Sequence, residues 1–560
     1  MIDDAKSIAP GSVLQADVCI VGGGAAGVTV ALELIASGKS ILILESGGRA
    51  EEAETQALYA GETADEDMHP PPDKYRYRVF GGSTTIWGGR CIPYDPIDFE
   101  QRDYLPESGW PFTFEELAPH YPRANELVEA GTFAYTAEEA YDGASPPMIE
   151  GFDSTRVTQN TLERFSMPTN FGATYGGTLA AAGNVRVLLY ANCTGIRLAQ
   201  DGSTVDHLDV ATLTGGRFTV RAGRYVLATG GLEVPRLLLT SNDVKPNGIG
   251  NDHDHVGRYL QAHIAGTLGT VIVSRPPSAV QHGYVMTPDG VYARRRFALT
   301  ADTQRALRIG NIVARLHFAD LPDPAHRSGI LSGLYLAKAW IPFEYSKRLD
   351  NGERRTIGLL ARHAWNVITD PVDTVSFVWN WLTKRTFATR KFPSVVIRSK
   401  ANRFSLDFHS EQAPNADSRV TLIDQRDALN VPMIRIDWRY TPWDVETVRV
   451  ALRVIKEELE KTGCGTLIWD ESTLSDEIMR FGAYGGHHIG TARMSTDPTR
   501  GVVDANCKVH GVDNLHVASC AVMPTSSQAN PTLTLVALSV RLGRYLAQQQ
   551  AAVRRTSSPG

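Results

Sequence analysis

The chain has 560 residues, a net charge of −6, an apolar fraction of 42% and a charged fraction of 21%. These values are typical of a large globular protein with a substantial core, and they argue against a basic surface that binds nucleic acid. The six cysteines are scattered without a CxxC or zinc-type spacing, so we expect neither a bound metal nor dithiol chemistry.

The first residues, MIDDAKSIAPGSV, are acidic and contain no long apolar run. Nowhere does the chain approach the ~18 uncharged apolar residues that a membrane-spanning helix needs. We therefore expect no signal peptide, no transmembrane segment and a cytoplasmic location.

Residues 16–48 predict a complete strand–helix–strand unit. A buried strand at Val18–Val21 is followed by a glycine-rich turn, a helical-period segment at Val28–Ile35 and a second buried strand at Ile41–Leu44. This order and length are typical of the first unit of a Rossmann-type dinucleotide-binding domain.

The turn carries the spacing Gly22-x-Gly24-x-x-Gly27, and Glu45 ends the second strand. The first glycine permits the tight turn, the second lets pyrophosphate approach the backbone, and the third lets helix and strand pack closely. Glu45 is placed to accept hydrogen bonds from ribose hydroxyls. This unit predicts a bound dinucleotide and leaves both NAD and FAD open.

A second glycine cluster, Phe80-Gly81-Gly82-Ser83-Thr84-Thr85-Ile86-Trp87-Gly88-Gly89, favours FAD. A nicotinamide cofactor has no need of it, whereas the broad ring system of a flavin must pack against backbone.

Further strands are predicted at Val185–Tyr190 and Tyr225–Thr229, the latter running into a helix-like segment at Leu232–Leu239. The stretch 334–393 that follows is rich in aromatic residues. We favour core aromatics of one or two helices as its interpretation, with an oligomer contact or an interfacial membrane surface as alternatives. The aromatic residues are Trp340, Phe343, Tyr345, Trp365, Phe377, Trp379, Trp381 and Phe387.

The C-terminal part predicts an antiparallel sheet, a long helix and a return to the first domain. The elements are alternating strands at Phe404–Phe408 and Val420–Ile423, a helix at Trp443–Glu460, a strand at Leu515–Ala518 and a helix at Pro531–Leu546. We therefore predict an α/β protein, α+β overall. A Rossmann-type FAD-binding domain, residues 14–260 plus 484–550, carries an inserted substrate domain, residues 261–483, built on an antiparallel sheet with helices.

Two blocks near the end of the chain supply residues suited to alcohol oxidation. The first, residues 485–494, contains His487 and His488, and the second, residues 528–534, contains Asn530. Histidine suits the role of a base because its ordinary pKa lies near neutrality, and an Asn amide can hold a hydroxyl in line. A His–His pair by itself is more often structural than catalytic.

Together these motifs resemble the glucose–methanol–choline (GMC) oxidoreductase family. The resemblance rests on the fingerprint at 16–48, the GGSTTIWGG loop, YVLATGGLEVPRLLL at 225–239 and the block 485–545, and it is weakest over roughly 265–400. Much of the family has Asn where this chain has Trp87. The Trp-Gly-Gly form looks more like the branch that contains pyranose oxidases and bacterial sugar or glycoside dehydrogenases.

The resemblance implies the roles of several residues. It maps His487 onto the catalytic histidine and Asn530 onto its partner, with His488 as a neighbour whose side chain points elsewhere. In pyranose oxidases a histidine of the glycine loop bonds covalently to the flavin; the matching position here is Ile86, which implies non-covalent FAD. Pro531 fits the first helical position, so the helix N-terminus would face the flavin.

The predicted catalytic residues are His487 and Asn530, and no metal ligand is predicted. The predicted cofactor-binding residues are Gly22, Gly24, Ala25, Ala26, Gly27, Glu45, Ser46, Gly82, Ser83, Thr84, Trp87, Gly88, Gly89, Cys193, Thr229, Gly230, Ser519, Asn530 and Thr532.

The leading functional hypothesis is an FAD-dependent oxidoreductase that removes hydride from a secondary hydroxyl of a sugar or glycoside, giving a keto-sugar. One alternative is a dehydrogenase of a non-sugar alcohol such as a sterol, polyol or natural product. Another is a relative whose FAD is redox-silent and whose histidine performs lyase chemistry. The substrate, the electron acceptor (oxygen, or a quinone or dye) and the oligomeric state, a monomer or a homo-oligomer, stay open.

Overall fold

The computed structural model describes residues 1–141, 145–337, 356–394, 396–397, 399, 401–480, 482–483 and 486–549. Its largest sheet begins with parallel pairing and ends with two antiparallel strands. The strand order is Ile2–Asp4, Val185–Leu189, Ile41–Leu44, Val13–Val21, Arg217–Leu227, Val205–Ala211 and Asn192–Leu198, with Leu515–Val517 also paired to Arg217–Leu227. The predicted α/β class with its first strand–helix–strand unit is confirmed.

The described residues form ten helices of seven residues or more. They are Ala25–Leu34, Tyr121–Leu127, Phe171–Ala181, Gly230–Thr240, Ala301–Leu307, Gly329–Ala337, Ile357–Thr369, Pro371–Trp381, Pro442–Lys461 and Thr532–Gln548. Shorter helical segments are Ala5–Ser7, Ile35–Ser37, Ala53–Gln56, Ala57–Tyr59, Gly82–Thr85, Pro96–Phe99, Phe114–Leu117, Ala118–His120, Ala137–Ala140, Pro277–Ala279, Pro324–His326, Leu382–Thr386, Leu474–Met479 and Cys520–Val522.

The two ends of the chain meet in one core. Helix Thr532–Gln548 packs against helix Ala25–Leu34, and buried apolar residues of both belong to the same cluster. Strand Leu515–Val517 lies parallel to Arg217–Leu227, as a return to the first sheet requires. Strand Leu515–Val517 and helix Thr532–Gln548 therefore belong to the same sheet and core as the glycine-rich turn near the start of the chain.

A second sheet is antiparallel throughout. Its strand order is Gly465–Ile468, Ile264–Val273, Arg403–Ser410, Ile312–His317, Phe297–Leu299 and Val157–Thr158. Two smaller sheets complete the strands of the described chain: Val285–Met286, Tyr292–Arg295, Leu162–Phe165 and Arg90–Cys91 in one, and Arg419–Arg426, Pro432–Asp437 and Gly61–Thr63 in the other.

Four short strands that precede residue 260 therefore pair with later segments or with one another, three of them in these smaller sheets and Val157–Thr158 in the six-stranded sheet. The proposed division into residues 14–260 plus 484–550 and residues 261–483 stays a prediction. The two alternating segments predicted near 404 and 420 both form antiparallel strands, but Arg403–Ser410 and Arg419–Arg426 belong to different sheets.

The final helix begins one residue later than the sequence predicts. Pro531 flanks helix Thr532–Gln548 at its N-terminal cap, and its carbonyl accepts from the backbone N–H of Leu535 at 2.8 Å. Proline therefore stands at the start of the helix without a donor to lose, as expected.

The favoured interpretation of the aromatic stretch is wrong for three of its residues. Trp365, Trp379 and Phe387 expose 65%, 67% and 79% of their surface, whereas Phe377 and Trp381 are half-buried. Helical periodicity identifies an apolar face but not what that face contacts. Trp340, Phe343 and Tyr345 lie outside the described residues. No helix in the described part of the chain is long and apolar enough to span a membrane.

Candidate active site

A cavity of about 520 Å³ lies where four parallel strands end. Gly22, Glu45, Thr229 and Ser519 follow strands Val13–Val21, Ile41–Leu44, Arg217–Leu227 and Leu515–Val517, and all four residues line the cavity. Ligands of open α/β sheets bind outside the carboxyl ends of the strands. The topology therefore places the predicted dinucleotide site at this cavity.

The glycines of the first turn occupy positions that a side chain could not share. Gly22 has φ +107°, and a Cβ there would lie 2.5 Å from the carbonyl oxygen of Ala228. A Cβ on Gly27 would overlap the carbonyl oxygen of Gly22, so this glycine lets helix and strand pack together. Gly24 has no atom nearer than 3.8 Å and opens onto the cavity.

The second glycine loop docks directly on the first. The backbone N–H of Gly81 donates to the carbonyl of Gly23 at 2.8 Å, and the turn Gly82–Thr85 follows. The indole N–H of Trp87 donates to the Thr169 carbonyl at 2.9 Å, which fixes the far end of the loop. Ile86 is 47% exposed and lines the cavity. The two loops thus form one continuous wall.

Glu45 is buried, and its carboxylate is held by backbone. Its Oε2 accepts from the N–H of Gly23 and its Oε1 from the N–H of Gly47, each at 2.8 Å. Burial raises the pKa of Glu45, although the two N–H groups and the Arg78 charge oppose that rise. The carboxylate is therefore oriented at the cavity wall, and its recognition of a ribose stays a prediction.

The residues present fit a bound FAD. Every predicted cofactor-binding residue lines the cavity except Gly27, which lies behind the turn. Two buried polar atoms on the cavity wall, Thr229 Oγ1 and Asn530 Oδ1, have no hydrogen-bond partner among the described residues. A Cβ on Gly88 or Gly230 would meet no atom within 4 Å. Polar atoms and open backbone are thus free for a ligand.

Sequence reasoning missed a buried ionic cluster that also lines the cavity. Glu233 pairs with Arg76 at 3.0 Å, Arg78 at 2.8 Å and Arg236 at 3.3 Å, and both Arg76 and Arg78 lie over the ring of Tyr59. Burial alone would raise the pKa of Glu233, but the three guanidinium groups lower it to about 2. The cluster is a fixed, charged part of the wall.

The structure brings His487 and Asn530 together. Asn530 Nδ2 lies 3.1 Å from His487 Nε2, and both residues line the cavity. The other ring nitrogen, His487 Nδ1, lies 2.9 Å from Nδ1 of His263. His488 also lines the cavity, but its ring faces His69, with the two ring centroids 5.3 Å apart. Gly485 of the predicted block lies outside the described residues.

The hydrogen-bond pattern assigns the protons of these imidazoles. The carbonyl of Ser526 only accepts, so His263 Nε2, 3.1 Å away, carries its proton. In neutral His263 the Nδ1 atom then has only a lone pair, and His487 must donate from its own Nδ1. His487 Nε2 is left as an acceptor facing Asn530 Nδ2. His263 thus fixes the tautomer in which His487 presents a basic nitrogen to the cavity.

The electrostatics keep His487 neutral. Burial, followed by the positive charge of Arg90, lowers the pKa of His487 to about 4. Burial and the neighbouring His487 also lower the pKa of His263. Both rings are therefore uncharged near pH 7, and His487 is in the form that accepts a proton.

A third histidine, His409, stacks on His263 with ring centroids 4.2 Å apart. One nitrogen each from His263, His409 and His487 lie within 4.8 Å of one another. The positive charges of Arg315 and Arg90 help lower the pKa of His409, after burial and the other histidines, and the same charges oppose a cation. The expected absence of a metal stays an expectation.

Two family models match the chain. The model described as FAD dependent oxidoreductase matches residues 17–335, and the model described as GMC oxidoreductase matches residues 414–539.

Several curated relatives match most of the chain. A C-glycoside 3-oxidase of Microbacterium trichothecenolyticum is 32% identical over 90% of this chain and 82% of its own length. A 6'''-hydroxyparomomycin C oxidase of Streptomyces lividus is 25% identical, covering 96% and 92% respectively. Among solved structures, a pyridoxine 4-oxidase from Mesorbium loti superposes with a TM-score of 0.53 at 19% identity, over 94% of this chain and 98% of that one. That last likeness concerns the fold alone.

Proposed function

This chain belongs to the GMC oxidoreductases, FAD-dependent enzymes that act on alcohols, and from that premise we propose that it oxidises a secondary ring hydroxyl of a sugar or glycoside to a ketone. FAD is held without a covalent bond, because Ile86 stands where a covalent link would need a histidine. The observation that carries the proposal is the His487–Asn530 pair on the cavity wall, in which His487 Nε2 lies 3.1 Å from Asn530 Nδ2.

In the proposed reaction, His487 Nε2 accepts the hydroxyl proton as the substrate carbon becomes a carbonyl carbon. Bound FAD supplies the acceptor for the hydride that leaves this carbon. Asn530 Nδ2, which faces His487 Nε2 in the structure, exchanges that contact for one to the substrate: it donates to the hydroxyl oxygen and holds the hydroxyl in line with His487. As His487 gains its proton, the positive charge on the ring is shared with His263 through the Nδ1–Nδ1 hydrogen bond.

The proposed substrate class rests on the relatives and on the wall beside the catalytic pair. The C-glycoside 3-oxidase is 32% identical to this chain. Polar side chains of Arg90, Tyr284 and Ser394 line the cavity together with His409. Several hydrogen-bonding groups on one wall suit a ligand with several hydroxyls better than an apolar alcohol.

The proposal is tested by mixing the FAD-loaded enzyme anaerobically with a panel of glycosides, free sugars, sterols and simple diols. We expect glycosides or sugars to bleach the flavin absorbance fastest and to yield a ring ketone detectable by mass spectrometry. Faster reduction by sterols or diols would favour a non-sugar alcohol as substrate. Substrate cleavage with the flavin still oxidised would favour a lyase and overturn the proposal.

Replacing His263 with phenylalanine should slow anaerobic flavin reduction by about 10- to 100-fold. This loss is smaller than the full rate contribution of a positioned base, about 10²–10⁴-fold. The substitution removes the acceptor that fixes the His487 tautomer. His263 is not among the described residues that line the cavity, so FAD affinity should not change. Stopped-flow absorbance at the flavin band measures the rate.

The matched control is His263→Asn, whose amide oxygen can still accept from His487 Nδ1. We expect this variant to stay within about tenfold of the wild-type rate. Equal losses in both variants would mean that His263 only fills space, and the tautomer assignment would then fail.

A further inference from the structure

Residues 357–387 present an unusual concentration of exposed apolar side chains. Nine of the sixteen large apolar side chains exposed among the described residues lie in this segment. We call them the 357–387 face. They are Ile357, Trp365, Ile368, Val372, Val375, Val378, Trp379, Leu382 and Phe387, with exposures from 38% to 88%. Monomeric soluble proteins rarely expose this many large apolar side chains within one short segment without a use for them.

The first helix of this face, Ile357–Thr369, turns a mixed side inward, where Leu359 and Leu360 are partly buried against an apolar cluster that includes Leu331 and Tyr335. The two residues it buries are His363 and Asn366. His363 Nδ1 bonds to Ser332 Oγ at 3.0 Å, and Asn366 Nδ2 donates to the Pro324 carbonyl at 2.9 Å. A surface helix ordinarily buries its apolar stripe. Here the two fully buried positions are polar, while Ile357, Trp365 and Ile368 stay exposed on the outward side.

The second helix, Pro371–Trp381, buries none of its residues. Its exposed residues Val372, Val375, Trp379 and Leu382, the last just beyond the helix, follow a spacing of three and four and so lie on one stripe. The helices are 13 and 11 residues long, which suits a pair that lies along a surface.

The charges around the face are mainly positive. Residues 357–391 contain five basic and two acidic side chains in a chain whose net charge is −6. Of the acidic pair, Asp370 is buried. The basic residues Lys384, Arg385 and Lys391 follow the second helix, and Arg385 lies 4.9 Å from the ring centre of Trp381. A second copy of the chain would meet this rim with the same positive charges, whereas anionic lipid headgroups complement it.

We propose that the 357–387 face binds the surface of an anionic lipid bilayer, with Trp365, Trp379 and Phe387 inserted at the level of the headgroups. Tryptophan and basic side chains together are typical of helices that lie in the plane of a membrane surface. Because Pro393 and Ser394 line the cavity, docking brings this part of the cavity wall close to the bilayer.

The test is co-sedimentation of the FAD-loaded enzyme with phosphatidylcholine vesicles, with or without phosphatidylglycerol. We expect at least about tenfold tighter binding to the anionic vesicles, falling at high salt. The triple variant Trp365→Ser/Trp379→Ser/Phe387→Ser should lose about tenfold or more in binding. The control Met286→Ser/Leu307→Ser/Ile468→Ser removes exposed apolar residues that lie elsewhere and should bind like the wild type.

A second variant, Lys384→Glu/Lys391→Glu, keeps the apolar residues and should weaken binding to anionic vesicles alone. It also tests the proposal if the triple variant does not fold, which melting temperature and flavin absorbance report. Absence of wild-type binding to either vesicle, or equal binding by all variants, overturns the proposal. So does a wild-type dimer that the triple variant dissociates without vesicle binding, because the face would then contact a second copy.

Discussion

Replacing His487 with alanine should slow anaerobic reduction of the bound FAD by about 10²–10⁴-fold, the usual contribution of a positioned general base. Without Nε2 no group at this position takes the hydroxyl proton, and water must serve instead. FAD should remain bound, since the glycine turns proposed to hold it lie in other segments of the chain. Stopped-flow absorbance under saturating substrate separates the loss of rate from a loss of binding.

The matched control is His488→Ala. His488 is adjacent in sequence, and its ring faces His69 rather than Asn530. We expect this variant to reduce its flavin within about tenfold of the wild-type rate, because it removes no group that touches the hydroxyl. A large loss in His488→Ala with little effect of His487→Ala would exchange the two roles and contradict the proposed mechanism.

The sequence could predict residues that share one cavity wall because the determinants of that wall are local. The turn Gly22–Gly27 and the strand that ends at Glu45 lie within one short unit. The spacing of the glycines follows from the small side chains that a tight turn beside a phosphate requires. The cavity is lined by all the residues predicted from these motifs except Gly27, whose packing role leaves it behind the wall.

The rest of the site depends on contacts between distant segments. His263 meets His487 across 224 positions of the chain, and Arg76 meets Glu233 across 157. Neither His263 nor Arg76 lies in a motif, so no spacing signals their role. His263 directly precedes strand Ile264–Val273. Its role depends on the fold, which places the Ser526 carbonyl on one side of its ring and His487 on the other.

The aromatic stretch shows a different limit. Its apolar spacing correctly indicated helices, but Trp365 and Trp379 lie on the outer face while His363 lies inside. An apolar stripe has the same sequence pattern whether it meets a protein core, a partner or a lipid surface. The pattern therefore could not choose among the three interpretations.

Replacing Gly22 with alanine should give a folded protein that is purified largely without FAD. A side chain at φ +107° strains the backbone, and its Cβ would lie 2.5 Å from the carbonyl oxygen of Ala228. Strain and overlap together cost about 2–5 kcal/mol in the geometry that binds the cofactor. Because every 1.4 kcal/mol is about tenfold in affinity, we expect FAD binding to weaken by roughly 30- to 4,000-fold.

The control for this prediction is Gly183→Ala, where φ lies outside the left-handed region and an added Cβ meets no atom within 4 Å. It should retain a full complement of FAD. Titration of the apoprotein with FAD, followed by flavin fluorescence, gives both affinities, and circular dichroism verifies the fold. Wild-type affinity in Gly22→Ala would mean that the turn can move without losing the cofactor. The absence of a side chain at Gly22 would then not be what shapes this end of the cavity for FAD.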